Sequence, residues 1–223
     1  MSRNGFGPQR ISVELTNICN LHCSYCFRAD ENLYSSHAEF FPIELLRRVI
    51  AEARTTVNIT RVSFTGGEPT LHPAFAETLT AVAGAGLTSS FVTNGWHFDR
   101  VWPAIQENRA AVSHVAFSLD GVTREGHDRW RGKGSFDRLV RAFSRCYMTN
   151  LPFVMKIVIR RDLVDQLEQI ALFAEEPVLV LRRPRQESKL SSIQDSGHRR
   201  FPLRIGPCKQ FAVDGRYFFD VSR

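Results

Sequence analysis

Cys19-Asn20-Leu21-His22-Cys23-Ser24-Tyr25-Cys26 packs three cysteines into eight residues, directly downstream of the alternation Ile11-Ser12-Val13-Glu14-Leu15. Alternation of apolar and polar residues is the period of a strand, so the cysteines fall in a loop that follows a strand. Thiolates are the usual ligands of tetrahedral zinc and of cubane iron-sulfur clusters, and both need four ligands. A trio leaves one coordination position open. A structural site is closed by a fourth protein ligand, whereas three close cysteines leave one iron free to take a substrate or cofactor.

The next apolar run ends in Ser63-Phe64-Thr65-Gly66-Gly67-Glu68-Pro69-Thr70. Gly66 and Gly67 let the backbone approach a ligand closely, and Glu68 can accept from a cationic amino group. A plain strand-to-helix turn would also use Gly-Gly and Pro.

From there the pattern repeats. Strands are expected at 11–15, 61–65, 88–93, 112–119, 153–159 and 178–181, and helices at 42–54, 73–85, 101–108, 136–149 and 162–174. Such alternation predicts an α/β fold around a parallel sheet. Active sites of parallel α/β folds collect at the C-terminal strand ends. The cysteines, Gly66 to Pro69, Thr93-Asn94-Gly95 and Ser118-Leu119-Asp120-Gly121 all fall there.

The chain has 223 residues, 43% hydrophobic and 23% charged, which fits one globular domain with a tail and excludes a disordered chain. The expected division is a core over 1–182 and a short basic tail over 183–223. The formal net charge is +6, yet residues 182–204 hold seven Lys and Arg against Glu187 and Asp195, so the rest is nearly neutral. A basic strip attracts acidic or phosphate-bearing partners, or is simply solvated. No apolar run reaches the length of a membrane span, and no signal peptide is visible. Five cysteines, an odd count with three clustered, argue against a secreted disulfide framework and for a reducing compartment, with the cytoplasm as the expected location. Cys146 reads as a buried apolar residue of helix 136–149.

The Cys-x3-Cys-x2-Cys spacing, the aromatic Tyr25 before the last cysteine, and Gly-Gly-Glu-Pro after the next apolar run resemble the radical S-adenosylmethionine superfamily. The resemblance implies a partial (βα)6 TIM-like barrel with mainly parallel strands. It also implies one 4Fe-4S cluster on Cys19, Cys23 and Cys26, with S-adenosylmethionine bound to the open iron. Reductive cleavage would then give a 5′-deoxyadenosyl radical that abstracts hydrogen from the substrate. By the same resemblance, Gly66, Gly67, Glu68 and Pro69 hold the methionine ammonium, and Tyr25 and Phe27 pack near the adenine. Asn94 and Ser118 contact the ribose or methionine moieties, and Arg131 reaches the methionine carboxylate. From the residues alone, Tyr25 and Phe27 equally suit an apolar plug over the cluster. Likewise Arg131 suits a solvated loop, Asp120 a turn with Gly121, and His127 the support of its own loop.

Ser118-Leu119-Asp120-Gly121 with His127-Asp128-Arg129-Trp130-Arg131-Gly132-Lys133-Gly134-Ser135-Phe136-Asp137 resembles the SPASM/twitch-type subgroup, which contains anaerobic sulfatase-maturating and peptide-modifying enzymes. Members usually carry a C-terminal extension with several cysteines. Here Gly206-Pro207-Cys208 and Asp214-Gly215-Arg216-Tyr217 resemble its opening, and Cys208 stands alone, so one cluster and a shortened extension are expected. A peptide or natural-product substrate follows, with a reductant protein such as flavodoxin or ferredoxin and neither a membrane nor a nucleic-acid partner. Competing readings are a small-molecule radical enzyme acting on a sugar or nucleoside, and a glycyl-radical activase. A further alternative is a non-catalytic peptide-binding barrel, or a zinc site closed by His22 or His37.

Overall fold

Five parallel strands run side by side in chain order: β1 (Arg10–Thr16), β2 (Arg61–Gly66), β3 (Thr88–Thr93), β4 (Val112–Ser118) and β5 (Phe153–Val158). A sixth, β6 (Phe218–Val221), pairs antiparallel with β5. The computed structural model describes residues 9–26, 38–158, 160–175 and 218–221.

The register sorts the side chains onto two faces. Val13, Phe64, Phe91, Val115 and Phe153 are paired across all five parallel strands and form one row. That row is packed by α1 (Ile43–Val57), α2 (Phe75–Gly84), α3 (Phe98–Glu107), α5 (Ser135–Met148) and α6 (Leu167–Glu175). Phe75 meets Phe91 edge-on, Phe98 meets Phe117, and Phe143 stacks on Phe153 while Phe173 packs against it. Burying each such ring stabilises the fold by about 1.5–3 kcal/mol. The alternate row, Ser12, Ser63, Ser90 and His114, is polar, and the Ser90 hydroxyl donates to Ser63 Oγ at 3.3 Å. Glu14, Thr65, Ser118 and Lys156 continue this second face toward the strand ends.

The α/β fold with mainly parallel strands is the one expected, and the first five strands fall where the alternation puts them. Segment 178–181 lies outside the described residues, and the sixth strand is drawn from the stretch expected as a tail. α1 ends as its sequence requires: Asn58 takes a left-handed conformation (φ 54°) and its N–H caps the Ala53 carbonyl. α3 begins at Phe98, three residues before the predicted start, and carries Pro103 inside it. The last predicted helix is split, with a 3-10 stretch over Arg161–Gln166 preceding α6. One helix, α4 (Arg124–Arg131), stands where a loop was expected. Thr123 caps it, its hydroxyl accepting from the Gly126 N–H. Among the described residues, no helix is long and apolar enough to cross a membrane.

Candidate active site

The segments that follow β1 to β5 meet at one rim, and the cysteine loop is fastened there by the backbone of β2's end. Gly67 N–H donates to the Thr16 carbonyl and Glu68 N–H to the Ile18 carbonyl, both at 2.8 Å. A Cβ on Gly67 would stand 2.0 Å from the Ile18 carbonyl oxygen, and Gly66 has φ +130° with its Cβ position 2.3 Å from the Thr16 oxygen. Only glycine permits this approach. The pair that sequence assigns to ligand contact therefore also seats the loop bearing Cys19.

Glu68 is 1% exposed. Its Oε1 accepts from Thr70 N (3.2 Å), Thr70 Oγ1 (2.6 Å) and Thr93 Oγ1 (2.8 Å), and its Oε2 from Asn94 N (2.8 Å). Burial raises the Glu68 carboxyl and these donors oppose the rise. The carboxylate thus ties the end of β2 to the end of β3, with Pro69 starting a buried 3-10 turn. Asn94 is turned onto the cysteine loop: its Nδ2 donates to Asn20 Oδ1 at 3.0 Å and stands 3.8 Å from Cys19 Sγ. Ser118, half-buried at the end of β4, is paired with Lys156.

Cys19, Cys23 and Cys26 are half-buried free thiols. Leu21 N–H donates to Cys19 Sγ at 3.4 Å, and Cys26 N–H to the Cys23 carbonyl at 3.0 Å, which makes 23–26 a tight turn. Burial pushes the Cys19 thiol up to about 12, against the Leu21 N–H, and burial also raises Cys23, against Arg131. A thiolate here needs a cation, and a bound metal supplies one. Among the described residues, no three His, Cys, Asp or Glu side chains stand together as a ready-made cage. The donor chemistry still fits a metal-thiolate cluster: three free thiols on one short loop, with Sγ already accepting an N–H. Phe27 and His37 lie outside the described residues.

The other side of the loop rests on a charged cluster. Asp120, 0% exposed, accepts at Oδ2 from both the Tyr25 hydroxyl and Arg131 Nε, and at Oδ1 from Arg160 Nη1 at 2.9 Å. Burial alone would raise its carboxyl; Arg131, the Tyr25 hydroxyl and Arg160 outweigh it and hold it below the usual range. Arg131 is therefore not a solvated loop residue. It ends α4, only 11% exposed, its guanidinium 5.8 Å from the Tyr25 ring. Nor is Asp120 simply a turn former. His127 does brace its loop, with Nδ1 accepting from Asp120 N at 3.2 Å. Asp128 caps α5, accepting from the N–H groups of Gly134 and Phe136. Arg160 is the site residue that sequence reasoning misses. It lies just beyond β5, where a strand-end rule would have flagged it.

A largely parallel α/β sheet with a three-thiol loop after its first strand, locked by a glycine pair after its second, has the donor set of a metal-thiolate protein. Residues 13–174 match the Radical SAM superfamily, and the chain belongs to it. The family's cofactors are a 4Fe-4S cluster and S-adenosylmethionine. The chain is similar to mycofactocin maturase MftC of Mycobacterium tuberculosis, 34% identical over 181 residues, covering 78% of this chain and 44% of that protein. It is also similar to the PqqA peptide cyclase of Gluconobacter oxydans, 26% identical over 181 residues, covering 76% of this chain and 46% of the relative. The chain thus spans less than half the length of these curated relatives. In fold it resembles SuiB of Streptococcus suis bound to its precursor peptide SuiA, with a TM-score of 0.63 at 18% identity, covering 77% of this chain and 38% of that one.

Proposed function

We propose that this protein is a radical S-adenosylmethionine enzyme acting on a peptide. The observation that carries the reading is the loop of three free thiols, seated by Gly67 and Glu68 at the C-terminal rim of the parallel strands. Cys19, Cys23 and Cys26 hold the cluster. When bound, the cluster and S-adenosylmethionine supply an electron and a 5′-deoxyadenosyl radical for hydrogen abstraction.

The chain's own residues bind and orient. The loop of Gly66, Gly67, Glu68 and Pro69 takes the methionine ammonium. Glu68 Oε2, with a single N–H donor, is the carboxylate oxygen left to meet it. Arg131, whose Nε donates to Asp120, would offer its remaining guanidinium N–H groups to the methionine carboxylate. Asn94 and Ser118 at the rim are assigned to the ribose and methionine moieties, and Tyr25 and Phe27 to the adenine. The polar sheet face offers hydroxyls to an extended polypeptide, whose backbone groups all need hydrogen bonds. Peptide action is supported by its relatives, a maturase and a peptide cyclase, and by the precursor peptide bound to SuiB. A flavodoxin- or ferredoxin-type reductant in the cytoplasm suits a chain whose described cysteines are all free. We assign the core to 1–182 and a basic C-terminal stretch to 183–223, which returns β6 to the edge of the core sheet.

The test is anaerobic reconstitution with iron and sulfide, reduction by dithionite and addition of S-adenosylmethionine. 5′-Deoxyadenosine is expected from the wild type and is abolished in C19A, C23A and C26A. Zinc-loaded, colourless protein that leaves S-adenosylmethionine intact would overturn the proposal.

A further inference from the structure

The two halves of the cysteine loop are held by different physics. The Cys19 half is held by the backbone of β2's end and by Asn94. The Cys23-to-Cys26 half is tied to the end of β4 and to α4, through the Ser24 N–H on the Trp130 carbonyl (3.2 Å) and the Tyr25 hydroxyl on Asp120. Both of those anchor residues are in contact with Arg160. Its guanidinium lies 4.1 Å over the Trp130 ring and 5.4 Å from the Tyr25 ring. Its Nη1 donates to Asp120 Oδ1 at 2.9 Å and its Nη2 to the Asp120 carbonyl at 3.0 Å.

We propose that Arg160 and Asp120 are positioning residues, a buried clamp that holds the Cys23-to-Cys26 turn and orients Arg131 beside it. The purpose of the clamp rests on the cluster-binding reading above; the clamp itself does not. A carboxylate with 0% exposure is tolerated only when its oxygens are paired. Asp120 meets this with Arg131 and Tyr25 on one oxygen and Arg160 on the other, while its own N–H goes to His127 Nδ1. Removing Arg160 leaves Oδ1 and the Asp120 carbonyl without these donors and uncovers the Trp130 face. The loss is passed through Asp120 to Tyr25 and through Trp130 to Ser24. A lysine cannot replace it, because a single ammonium does not span a carboxylate and a carbonyl while lying flat on an indole. Two guanidiniums on one carboxylate also leave positive charge on this wall.

Hydrogen-deuterium exchange of the reduced, metal-free chain tests the clamp without any cofactor. In R160Q, exchange of the Ser24–Cys26 amides should rise about tenfold, the scale of one lost charge-assisted hydrogen bond, while β2 stays protected. Y25F should act through the same carboxylate, so the rise in exchange in the double variant Y25F/R160Q should be smaller than the two single rises combined, and R160K should not restore protection. In reconstituted protein, R160Q should release iron to a chelator several-fold faster than wild type. Unchanged exchange in R160Q, an equal rise in β2, strictly additive effects, or full rescue by R160K would overturn the proposal. If the wild type takes up no cluster, the proposed function falls, and the exchange measurement still decides the clamp.

Discussion

Acid should weaken this fold through His127 before it reaches the carboxylates. The imidazole is 0% exposed, its Nδ1 accepts from the Asp120 N–H at 3.2 Å, and its Nε2 has no hydrogen-bond partner among the described residues. The ring is therefore neutral, with its proton on Nε2. Burial is the main force lowering its pKa from 6.5 to about 4; Arg131 and Arg160 add to the lowering and Asp120 and Asp128 oppose it. Because the folded value lies below the unfolded one, the associated stability is complete above pH 6.5. It is lost as pH falls toward 4, where the unfolded chain binds the proton and the folded chain does not. At about 1.4 kcal/mol per pH unit, the full loss is roughly 3 kcal/mol, most of it reached by pH 4.5. Urea unfolding of the reduced, metal-free chain at pH 7.0, 5.5 and 4.5 measures it, with H127N as the reference. Asn places an oxygen where Nδ1 stands, keeping an acceptor for Asp120 N without titrating. H127N should start lower in stability at pH 7 and lose much less on acidification. His97, also lowered by burial, titrates in both proteins and cancels from the comparison. Parallel pH profiles for the two proteins between 6.5 and 4 would refute the reasoning.

Three further outcomes are expected. G67A drives a methyl into the Ile18 carbonyl, so it should destabilise the chain by about 1–3 kcal/mol or more and lower the iron retained after reconstitution, with far-UV circular dichroism little changed. E68Q puts an amide NH2 where the Glu68 carboxylate accepts from Thr70, Thr93 and Asn94; it should lower the urea unfolding free energy by about 1–3 kcal/mol, and an unchanged midpoint would count against the clip between β2 and β3. Cys146 is 0% exposed, with burial pushing its thiol up to about 12. Iodoacetamide at pH 8 should therefore label half-buried Cys26 of the native reduced chain first, Cys19 slowly because burial pushes its thiol up to about 12 as well, and fully buried Cys146 only in urea, as peptide mapping would show.

Local pattern carried most of the fold. Val13 with Leu15, and Val62 with Phe64, alternate with polar neighbours, and the helices that cover them repeat apolar residues at helical spacing. α4 escaped because Arg124–Arg131 has no apolar stripe to read: the helix is stabilised by the Thr123 cap and by the pairing of Arg131 with buried Asp120. The thiol loop and the glycine pair were legible as motifs, since spacing alone marks them. What spacing did not reveal was that the two motifs are fastened to each other, because that contact is made by backbone atoms of residues far apart in sequence. The clamp was hidden for the same reason. Tyr25 and Asp120 are 95 positions apart and Asp120 and Arg160 are 40 apart, and nothing local separates part-buried Arg160 from exposed Arg161.

Low-temperature EPR of the reconstituted, dithionite-reduced protein, recorded with and without S-adenosylmethionine, tests the central claim most directly. An open iron on a cluster held by Cys19, Cys23 and Cys26 predicts a reduced 4Fe-4S signal that shifts when S-adenosylmethionine is added. A cluster signal that survives replacement of all three cysteines by alanine, or one indifferent to S-adenosylmethionine, would contradict it.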